Sequence, residues 1–406
     1  MRVFVTGYGI ISAFGTSWNK VSTSFKAKKN AVRYMHEWGK FKDLTTKIAA
    51  PCDNYEHPKE WTRKELRSMG RVSMLSVDAA GMALKMSGLM NDKGIQDGRL
   101  GVAAGSSSGS TDSIASMAKL LLSGESDCNA NTYIKMMPHT TAANIALFYK
   151  LKGRIIPTSS ACTSASHAIG YAYESIKFGQ IDMMIAGGAE ELCPSQTYVF
   201  GTLYATSTKN LTPNLTPRPF DSNRDGLVLG EGAGYLILES EESVLKRGVT
   251  PIAEIVGFGS NCDGTHITQP NAQTMKIAMS LALKSGNLKP DDIGYINAHA
   301  TATTLGDIAE SIATNELFGD SVNVSSIKSY LGHTLGACGG LEAVFSIEMM
   351  RDGVFYPTIN LNEVDSRCAK LNYLKEITNL DCDYVMSNNF AFGGVNTSLI
   401  FKKFKG

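Results

Sequence analysis

One cysteine, Cys162, has the sequence surroundings of a nucleophile. It lies in the segment 158–167 (TSSACTSASH), whose small residues leave room for a substrate to approach. The extended stretch 154–157 precedes this segment and an apolar helical pattern over 165–178 follows, which predicts a strand-to-helix junction at the cysteine. Free N–H groups and the positive dipole at the start of a helix favour a thiolate. The segment alone fits a reactive nucleophile and a buried, inert cysteine equally well.

Three residues in the second half of the chain could supply acid–base or hydrogen-bonding chemistry. His299, Lys328 and His333 each follow a short apolar segment and have small neighbours. Open α/β sheets place their sites where strands end, so these residues are candidates for one site. A single histidine is most often a satisfied core residue. Two histidines placed comparably with Cys162 favour a catalytic site.

The segments that must position these side chains alternate between short apolar strands and helices. This alternation indicates an α/β fold with buried sheets. The pattern restarts near residue 250, because the predicted strand 252–259 ends in Gly-x-Gly as the strand 2–9 does. The restart predicts two similar halves, residues 1–248 with the nucleophile and residues 249–406 with both histidines. Other predicted strands are 101–104, 182–188, 235–239, 293–298, 322–326, 384–387 and 398–402, and other predicted helices are 61–90, 114–122, 142–149, 274–285, 307–317 and 339–351.

The composition excludes some classes of function. A net charge of +1 over 406 residues gives no bulk electrostatic attraction to nucleic acid or membranes. The eight cysteines are scattered, without a CxxC pair or a Cys/His cluster at zinc-ligand spacing, which favours reduced thiols in the cytosol. No signal peptide is evident and no apolar run reaches the roughly 18–20 residues of a membrane span. We therefore expect a cytoplasmic protein.

Motifs along nearly the whole chain resemble those of one enzyme family. In combination and order they are similar to the β-ketoacyl-acyl-carrier-protein synthases, the elongating condensing enzymes of the thiolase superfamily. The resemblance implies a thiolase fold of two similar βαβαβαββ halves in a five-layered αβαβα arrangement. The motifs are Ser-Ala-Cys-Thr-Ser at 160–164, Pro-Arg-Pro-Phe-Asp at 217–221 with Arg-Asp-Gly at 224–226, Gly-Glu-Gly-Ala-Gly at 230–234, Asn-Ala-His at 297–299, Leu-Gly-Asp at 305–307, Lys-Ser-Tyr-Leu-Gly-His at 328–333 and Phe-Gly-Gly-Val-Asn at 392–396.

The resemblance assigns catalytic roles residue by residue. Cys162 matches the nucleophile that accepts the acyl chain. His299 and His333 match the pair that polarises the malonyl thioester and supports decarboxylation; a His–His pair is typical of the elongating class. Lys328 and Glu342 match a charged pair that supports the site.

Further roles follow from the same resemblance. Phe392 matches a gating residue, and its backbone N–H would form the oxyanion hole with that of Cys162. Ser108 and Phe200 match the acyl pocket. The phosphopantetheine arm would be held by His266, Thr268, Thr301 and Thr303, and the acidic acyl-carrier protein would dock on Arg63, Lys64 and Arg67, although a solvated helix face explains those three basic residues equally well.

The resemblance also implies partners and cofactors. We expect decarboxylative condensation with malonyl-acyl-carrier protein, no metal, and no cofactor beyond the carrier-bound phosphopantetheine. We expect a homodimer, or a heterodimer with a chain-length factor, in which this chain is the active partner because it keeps Cys162.

Three departures from the family suggest an unusual acyl chain. Relatives carry glycine where this chain has Ala300 and Ala391, and alanine tolerates a positive φ poorly. Ser108 replaces a bulky gate residue, which indicates a longer, stiffer or partly unsaturated chain. We therefore predict polyketide or aryl-polyene chain extension, with housekeeping fatty-acid elongation as the alternative.

Three other functions stay open at this stage. Gly105-x-Ser107-x-Gly109 fits the nucleophile elbow of a serine hydrolase, a pattern that is weak by itself. A non-catalytic chain-length subunit is disfavoured by the intact Cys162, His299 and His333. A degradative thiolase would need a second reactive cysteine near residue 390, where the sequence is Asn-Asn-Phe.

Overall fold

The computed structural model describes residues 1–125 and 127–405, and a mixed sheet of eleven strands forms its centre. In this part of the chain two pairs of short strands lie outside that sheet. The strands are Val3–Ile11 (β1), Arg33–Tyr34 (β2), Ile48–Ala49 (β3), Leu100–Gly105 (β4), Ile155–Thr158 (β5), Met183–Glu190 (β6), Gly232–Ser240 (β7), Ala253–Cys262 (β8), Tyr295–Asn297 (β9), Asn323–Ser325 (β10), Val354–Phe355 (β11), Asn372–Tyr373 (β12), Thr378–Asn379 (β13), Tyr384–Ala391 (β14) and Val395–Lys403 (β15).

Helices cover the sheet and separate most of its strands in the sequence. The α-helices are Trp18–Lys26 (α1), Arg63–Leu66 (α2), Arg71–Met86 (α3), Thr111–Ser123 (α4), Ala130–Met136 (α5), Thr140–Tyr149 (α6), Ser164–Lys177 (α7), Pro194–Thr202 (α8), Glu241–Arg247 (α9), Ala272–Gly286 (α10), Thr304–Phe318 (α11), Lys328–Leu331 (α12) and Cys338–Asp352 (α13).

The sheet consists of two halves with the same topology. The strand order is β5-β4-β6-β7-β1 in the first half and β10-β9-β14-β15-β8 in the second, and β12 extends the second half at its edge. Counted along the chain, the five strands are β1, β4, β5, β6 and β7 in the first half and β8, β9, β10, β14 and β15 in the second. In each half the first of these strands pairs antiparallel with the fifth, and the second pairs parallel with the third and the fourth. An antiparallel contact between β1 and β8 joins the halves. The predicted internal repeat is confirmed by this topology, whereas the boundary at residue 248 stays a prediction.

The two helices α7 and α13 form the central layer between the half-sheets, with α3 and α6 outside one half and α10 and α11 outside the other. This arrangement confirms the expected five layers. Every residue of α13 from Cys338 to Met350 is buried, as expected for a helix packed on both sides. The helix also approaches β7 very closely: a Cβ on Gly340 would lie 2.2 Å from the carbonyl oxygen of Gly234. Glycine is therefore required at this crossing.

The predicted core strands and helices are present, but the predicted helix 61–90 is wrong as a single element. It is divided into α2 and α3 at Gly70, whose extended backbone (ψ 178°) precedes the second helix. A Cβ on Gly70 would meet the Ser110 hydroxyl at 2.4 Å, so a close tertiary approach fixes the break. No helix in the described ranges is long and apolar enough to cross a membrane.

Candidate active site

Cys162 lies at the strand-to-helix junction that its sequence predicts. The 3-10 turn Ala161–Thr163 connects β5 to α7, and Ala161 has a left-handed backbone (φ 51°). Nearby hydrogen bonds hold the turn: the side chains of Ser160 and His167 are 2.8 Å apart, and the other ring nitrogen of His167 lies 2.8 Å from Ser260 Oγ. The turn is thereby tied to β8 of the second half.

The structure brings Cys162 together with both predicted histidines. The Nε2 atom of His333 lies 2.9 Å from the Cys162 sulfur, and a nitrogen of each ring and the sulfur all lie within 4.8 Å of one another. The two imidazole rings are nearly perpendicular, with centroids 5.2 Å apart. Cys162 follows β5, His299 follows β9 and His333 follows β10 and α12, and all three side chains are buried.

The backbone around each histidine is held by hydrogen bonds to another element or loop. Glu310 of α11 accepts the N–H groups of His299 (2.8 Å) and Ala300 (2.7 Å), and the His333 N–H donates to the carbonyl of Val228 (2.7 Å). Burial raises the pKa of Glu310 to about 8. Glu310 was not predicted from the sequence, where it is one acidic residue within a helical pattern.

Burial changes the expected ionisation of the nucleophile. It raises the pKa of the Cys162 thiol to about 12, against the opposing charge of Lys328 and the backbone N–H groups of Cys162 and Phe392, which point toward the sulfur. Burial thus opposes the ionisation of Cys162, whereas Lys328 and the two N–H groups favour it.

Both histidines are neutral donors at physiological pH. Burial, reinforced by the charge of Lys328, lowers the pKa of His299 and of His333 well below the ordinary value. The Nδ1 atom of His333 is buried without a hydrogen-bond partner. An orphaned N–H costs more than an orphaned acceptor, so the proton resides on Nε2 and points to the Cys162 sulfur.

Lys328 and Glu342 form a buried ion pair behind the histidines. The Nζ atom of Lys328 lies 2.5 Å from Glu342 Oε1, and both side chains are almost wholly removed from solvent. The second carboxylate oxygen of Glu342 accepts a hydrogen bond from Asn389 Nδ2 at 2.8 Å. Sequence reasoning paired the two charged residues but did not identify Asn389.

Two cavities meet at Cys162. The larger, about 400 Å³, is lined by both histidines, and the smaller, about 170 Å³, is lined by Phe200, Val199 and Leu335. Phe392 lines both cavities, and its ring centroid lies 5.5 Å from that of Phe200. The aromatic pair thus stands between the two spaces.

The structure corrects the placement of Ser108. Ser107 lines the smaller cavity, whereas Ser108 donates its hydroxyl hydrogen to Glu190 (2.9 Å) and accepts one from Gln196 (2.7 Å). Glu190 is fully buried and also accepts from the backbone N–H of Gly336. Ser108 therefore supports the cavity wall through Gln196, which itself lines the cavity.

Other predicted residues are divided between the larger cavity and the surface. Thr268, Thr301 and Thr303 line the larger cavity, and the hydroxyls of Thr301 and Thr303 are 3.1 Å apart. His266 is outside the lining; its Nδ1 accepts the backbone N–H of Thr268 at 3.2 Å. The docking candidates, all exposed on or directly after α2, are Arg63, Lys64 and Arg67.

The geometry does not support two interpretations that the sequence left open, a serine hydrolase at Ser107 and a strained backbone at two alanines. The Ser107 hydroxyl donates to Glu190 Oε2 at 2.6 Å rather than to an imidazole, so it lacks the general base of a hydrolase. Ala300 and Ala391 are not among the residues with positive φ, so neither is strained by its methyl group. Ala391 instead packs beside the thiols of Cys162 and Cys338.

Comparisons with known proteins agree with this geometry. The chain matches the family models "Beta-ketoacyl synthase, N-terminal domain" over residues 1–243 and "Beta-ketoacyl synthase, C-terminal domain" over residues 252–362. It therefore belongs to the β-ketoacyl synthase family, and its architecture is the thiolase-like ketosynthase fold. It is 33% identical to 3-oxoacyl-[acyl-carrier-protein] synthase 1 of Escherichia coli K12, covering 100% of this chain and 99% of that protein.

Solved structures give the same result. A β-ketoacyl synthase from Burkholderia phymatum STM815 is 55% identical with a TM-score of 0.98, covering all of both chains. The ishigamide ketosynthase/chain length factor is 29% identical with a TM-score of 0.88, covering 100% of this chain and 99% of that one. Relatives thus include a protein named as a 3-oxoacyl-[acyl-carrier-protein] synthase and a ketosynthase solved with a chain length factor.

Proposed function

We propose that this chain catalyses the decarboxylative Claisen condensation of a Cys162-bound acyl chain with malonyl-acyl-carrier protein. The observation that carries the proposal is the buried cluster of one thiol and two neutral imidazoles between two cavities. The larger cavity fits a phosphopantetheine arm, and its lining includes Thr268, Thr301 and Thr303. The smaller, lined by Phe200 and Leu335, fits an acyl chain.

In the first step the Cys162 sulfur attacks the acyl thioester. A carbon–sulfur bond forms at Cys162, the bond to the pantetheine sulfur breaks, and the thiol proton passes to the departing pantetheine thiolate. The backbone N–H groups of Cys162 and Phe392 lie beside the sulfur and would supply the oxyanion hole for the thioester oxygen that binds next to it. One such donor is worth about 2.7–4 kcal/mol in the transition state.

In the second step malonyl-acyl-carrier protein enters the larger cavity. The carbon–carboxylate bond breaks to give CO₂, and the enolate oxygen takes hydrogen bonds from the Nε2–H groups of His299 and His333. The enolate carbon attacks the carbonyl carbon of the Cys162 thioester and the carbon–sulfur bond at Cys162 breaks, so the β-ketoacyl product leaves on the carrier protein and the cysteine thiolate takes a proton from solvent. Each bond change balances without a metal or redox group, and the phosphopantetheine arrives with the substrate.

We propose an assembly of two chains, either two copies of this one or this one with a chain-length factor. The terminal strand of the sheet, β5, is partly exposed and offers unpaired backbone groups, as sheet edges that form interfaces do. Leu121 and Leu122 of α4 are 85% and 87% exposed, which adds apolar area suited to an interface.

The test is incubation of the purified chain with malonyl-acyl-carrier protein and a panel of acyl-carrier proteins, read by intact-protein mass spectrometry. We expect an acyl adduct on the chain and a β-ketoacyl product two carbons longer. Saturated and polyunsaturated acyl chains in the panel decide between fatty-acid elongation and polyketide or aryl-polyene extension. A chain that neither takes an adduct nor releases CO₂ from malonyl-acyl-carrier protein would refute the proposal.

Charge reversal on α2 tests the proposed carrier-protein docking. Changing Arg63, Lys64 and Arg67 to glutamate should raise KM for acyl-carrier protein about tenfold, roughly 1.4 kcal/mol, with kcat nearly unchanged. Steady-state kinetics at low and high salt measures this, because screening should reduce the difference. The matched control reverses three other exposed lysines, Lys26, Lys29 and Lys42, and should leave KM unchanged. Equal KM values in both triple variants would assign α2 to an ordinary solvated face.

A further inference from the structure

Asn389 is fully buried at the end of β14, between the ion pair and the active site. Its Nδ2 atom lies 2.8 Å from Glu342 Oε2, 3.5 Å from His299 Nδ1 and 3.5 Å from Cys338 Sγ. A carboxamide nitrogen carries two hydrogens, so it can donate one to Glu342 and the other to His299 Nδ1, which is a stronger acceptor than the Cys338 sulfur at the same distance. Neither catalytic step of the proposed condensation uses this residue directly.

Glu342 fixes the orientation of the Asn389 amide. An ionised carboxylate only accepts hydrogen bonds, so the nitrogen of the amide must face it and the oxygen must face away. The consequence is visible in the structure, because Asn389 Oδ1 is buried without a partner, against Gly339 of α13. Rotating the amide by 180° would place two oxygens against each other and remove the donor from both neighbours.

The fixed amide in turn determines where His299 carries its proton. A nitrogen that faces an N–H donor must be an acceptor, so Nδ1 of His299 is unprotonated and Nε2 carries the hydrogen. A protonated imidazolium would set two N–H groups against each other at this contact. The ring of His299 lines the larger cavity, where Nε2–H is the donor that a thioester carbonyl requires.

We propose that Asn389 is a positioning residue that couples the Lys328–Glu342 ion pair to His299 and holds this imidazole in the neutral Nε2–H form for decarboxylation. The inference rests on the proposed condensing function and adds a residue to it. It also gives the ion pair a specific role, because Lys328 keeps Glu342 ionised, Glu342 orients the amide, and the amide selects the tautomer of His299.

The test separates the two half-reactions in Asn389→Leu, which has similar volume and no donor. CO₂ release from malonyl-acyl-carrier protein should fall about 100-fold, because His299 then no longer presents its Nε2–H to the enolate and one such donor is worth about 10²–10³-fold in rate. Acylation of Cys162, read by intact mass, should stay within about threefold because the oxyanion hole is unchanged. Nitrogen-15 NMR of histidine-labelled protein reports the tautomer of His299, whose signals are assigned by their loss in His299→Asn. The wild-type protein should show the Nε2–H tautomer, and Asn389→Leu should show a shift away from it.

Asn388→Leu is the matched control. Asn388 is the preceding residue of the same strand, equally buried, but its amide contacts Met279 of α10 instead of the site. It should keep both half-reactions. Asn389→Ala provides a second variant if the leucine variant does not fold, and the same split is expected. Equal loss of both half-reactions in the Asn389 variants, or decarboxylation within threefold of wild type, would overturn the role of Asn389. A wild-type chain that is inactive in both half-reactions would instead refute the proposed function.

Discussion

Cys162→Ala should abolish acyl-enzyme formation and reduce condensation by at least about 10⁴-fold, the scale on which loss of a nucleophile acts. The alanine has no atom to accept the acyl chain, and the site has no other thiol facing either cavity among its lining residues. The methyl group fits the apolar contacts that the thiol makes with Ala391 and Cys338, so the fold should persist. Intact-protein mass spectrometry after incubation with acyl-carrier protein measures the adduct.

The same variant should keep malonyl decarboxylation. That reaction needs the two imidazoles as enolate donors, and neither ring is held in place by Cys162 alone: Glu310 fixes the backbone of His299 and Val228 fixes that of His333. Continued CO₂ release without an adduct would therefore assign separate roles to the thiol and to the histidines.

Cys338→Ala is the matched control for this experiment. Cys338 is a buried thiol beside the nucleophile and donates to the carbonyl of Cys162 at 3.2 Å, but it lines neither cavity. Its loss should leave the adduct in place. An acyl adduct that survives in Cys162→Ala and disappears in Cys338→Ala would show that the nucleophile has been assigned to the wrong cysteine.

The parts of the site that sequence could predict are those encoded locally. Small residues around Cys162 followed by a helical pattern predicted the strand-to-helix turn, and the structure has this turn at Ala161–Thr163. The repeated Gly-x-Gly strand ends predicted two similar halves, and the structure has the same strand order in both halves. The motifs carrying His299 and His333 predicted that both reach Cys162.

The parts that sequence could not predict depend on contacts between distant segments. Glu190 accepts the hydroxyl hydrogen of Ser107, 83 positions away in the sequence, and Glu310 accepts the backbone N–H groups of His299 and Ala300. Neither contact leaves a periodic signal in the sequence. Ser107 and Ser108 are adjacent, and only the course of the loop decides which one faces the cavity. The raised pKa of Cys162 follows from burial, and a local pattern at a helix start gives no measure of burial.

The second large effect is expected for the buried ion pair. Lys328→Met should lower the free energy of unfolding by about 3–5 kcal/mol, because it leaves the Glu342 carboxylate buried without its cation. Burial raises the pKa of Glu342 above its ordinary value, and the charge of Lys328 offsets part of this increase. Removing the lysine therefore raises the pKa of Glu342 further. When the folded state raises the pKa of a carboxyl, the free energy of unfolding increases as pH falls through that pKa, because the folded state then binds a proton more readily than the unfolded state. The defect should therefore be smaller at pH 6 than at pH 8 in urea unfolding.

The double variant Lys328→Met/Glu342→Leu separates stability from catalysis. Replacing both charges with apolar side chains removes the unpaired carboxylate, so most of the lost unfolding free energy should return. Decarboxylation should not return, because Asn389 then has no carboxylate to orient its amide toward His299. The exposed pair Lys276–Glu316 is the control, since Lys276→Met should cost less than about 1 kcal/mol. Recovery of decarboxylation together with stability would mean that the ion pair only holds the fold.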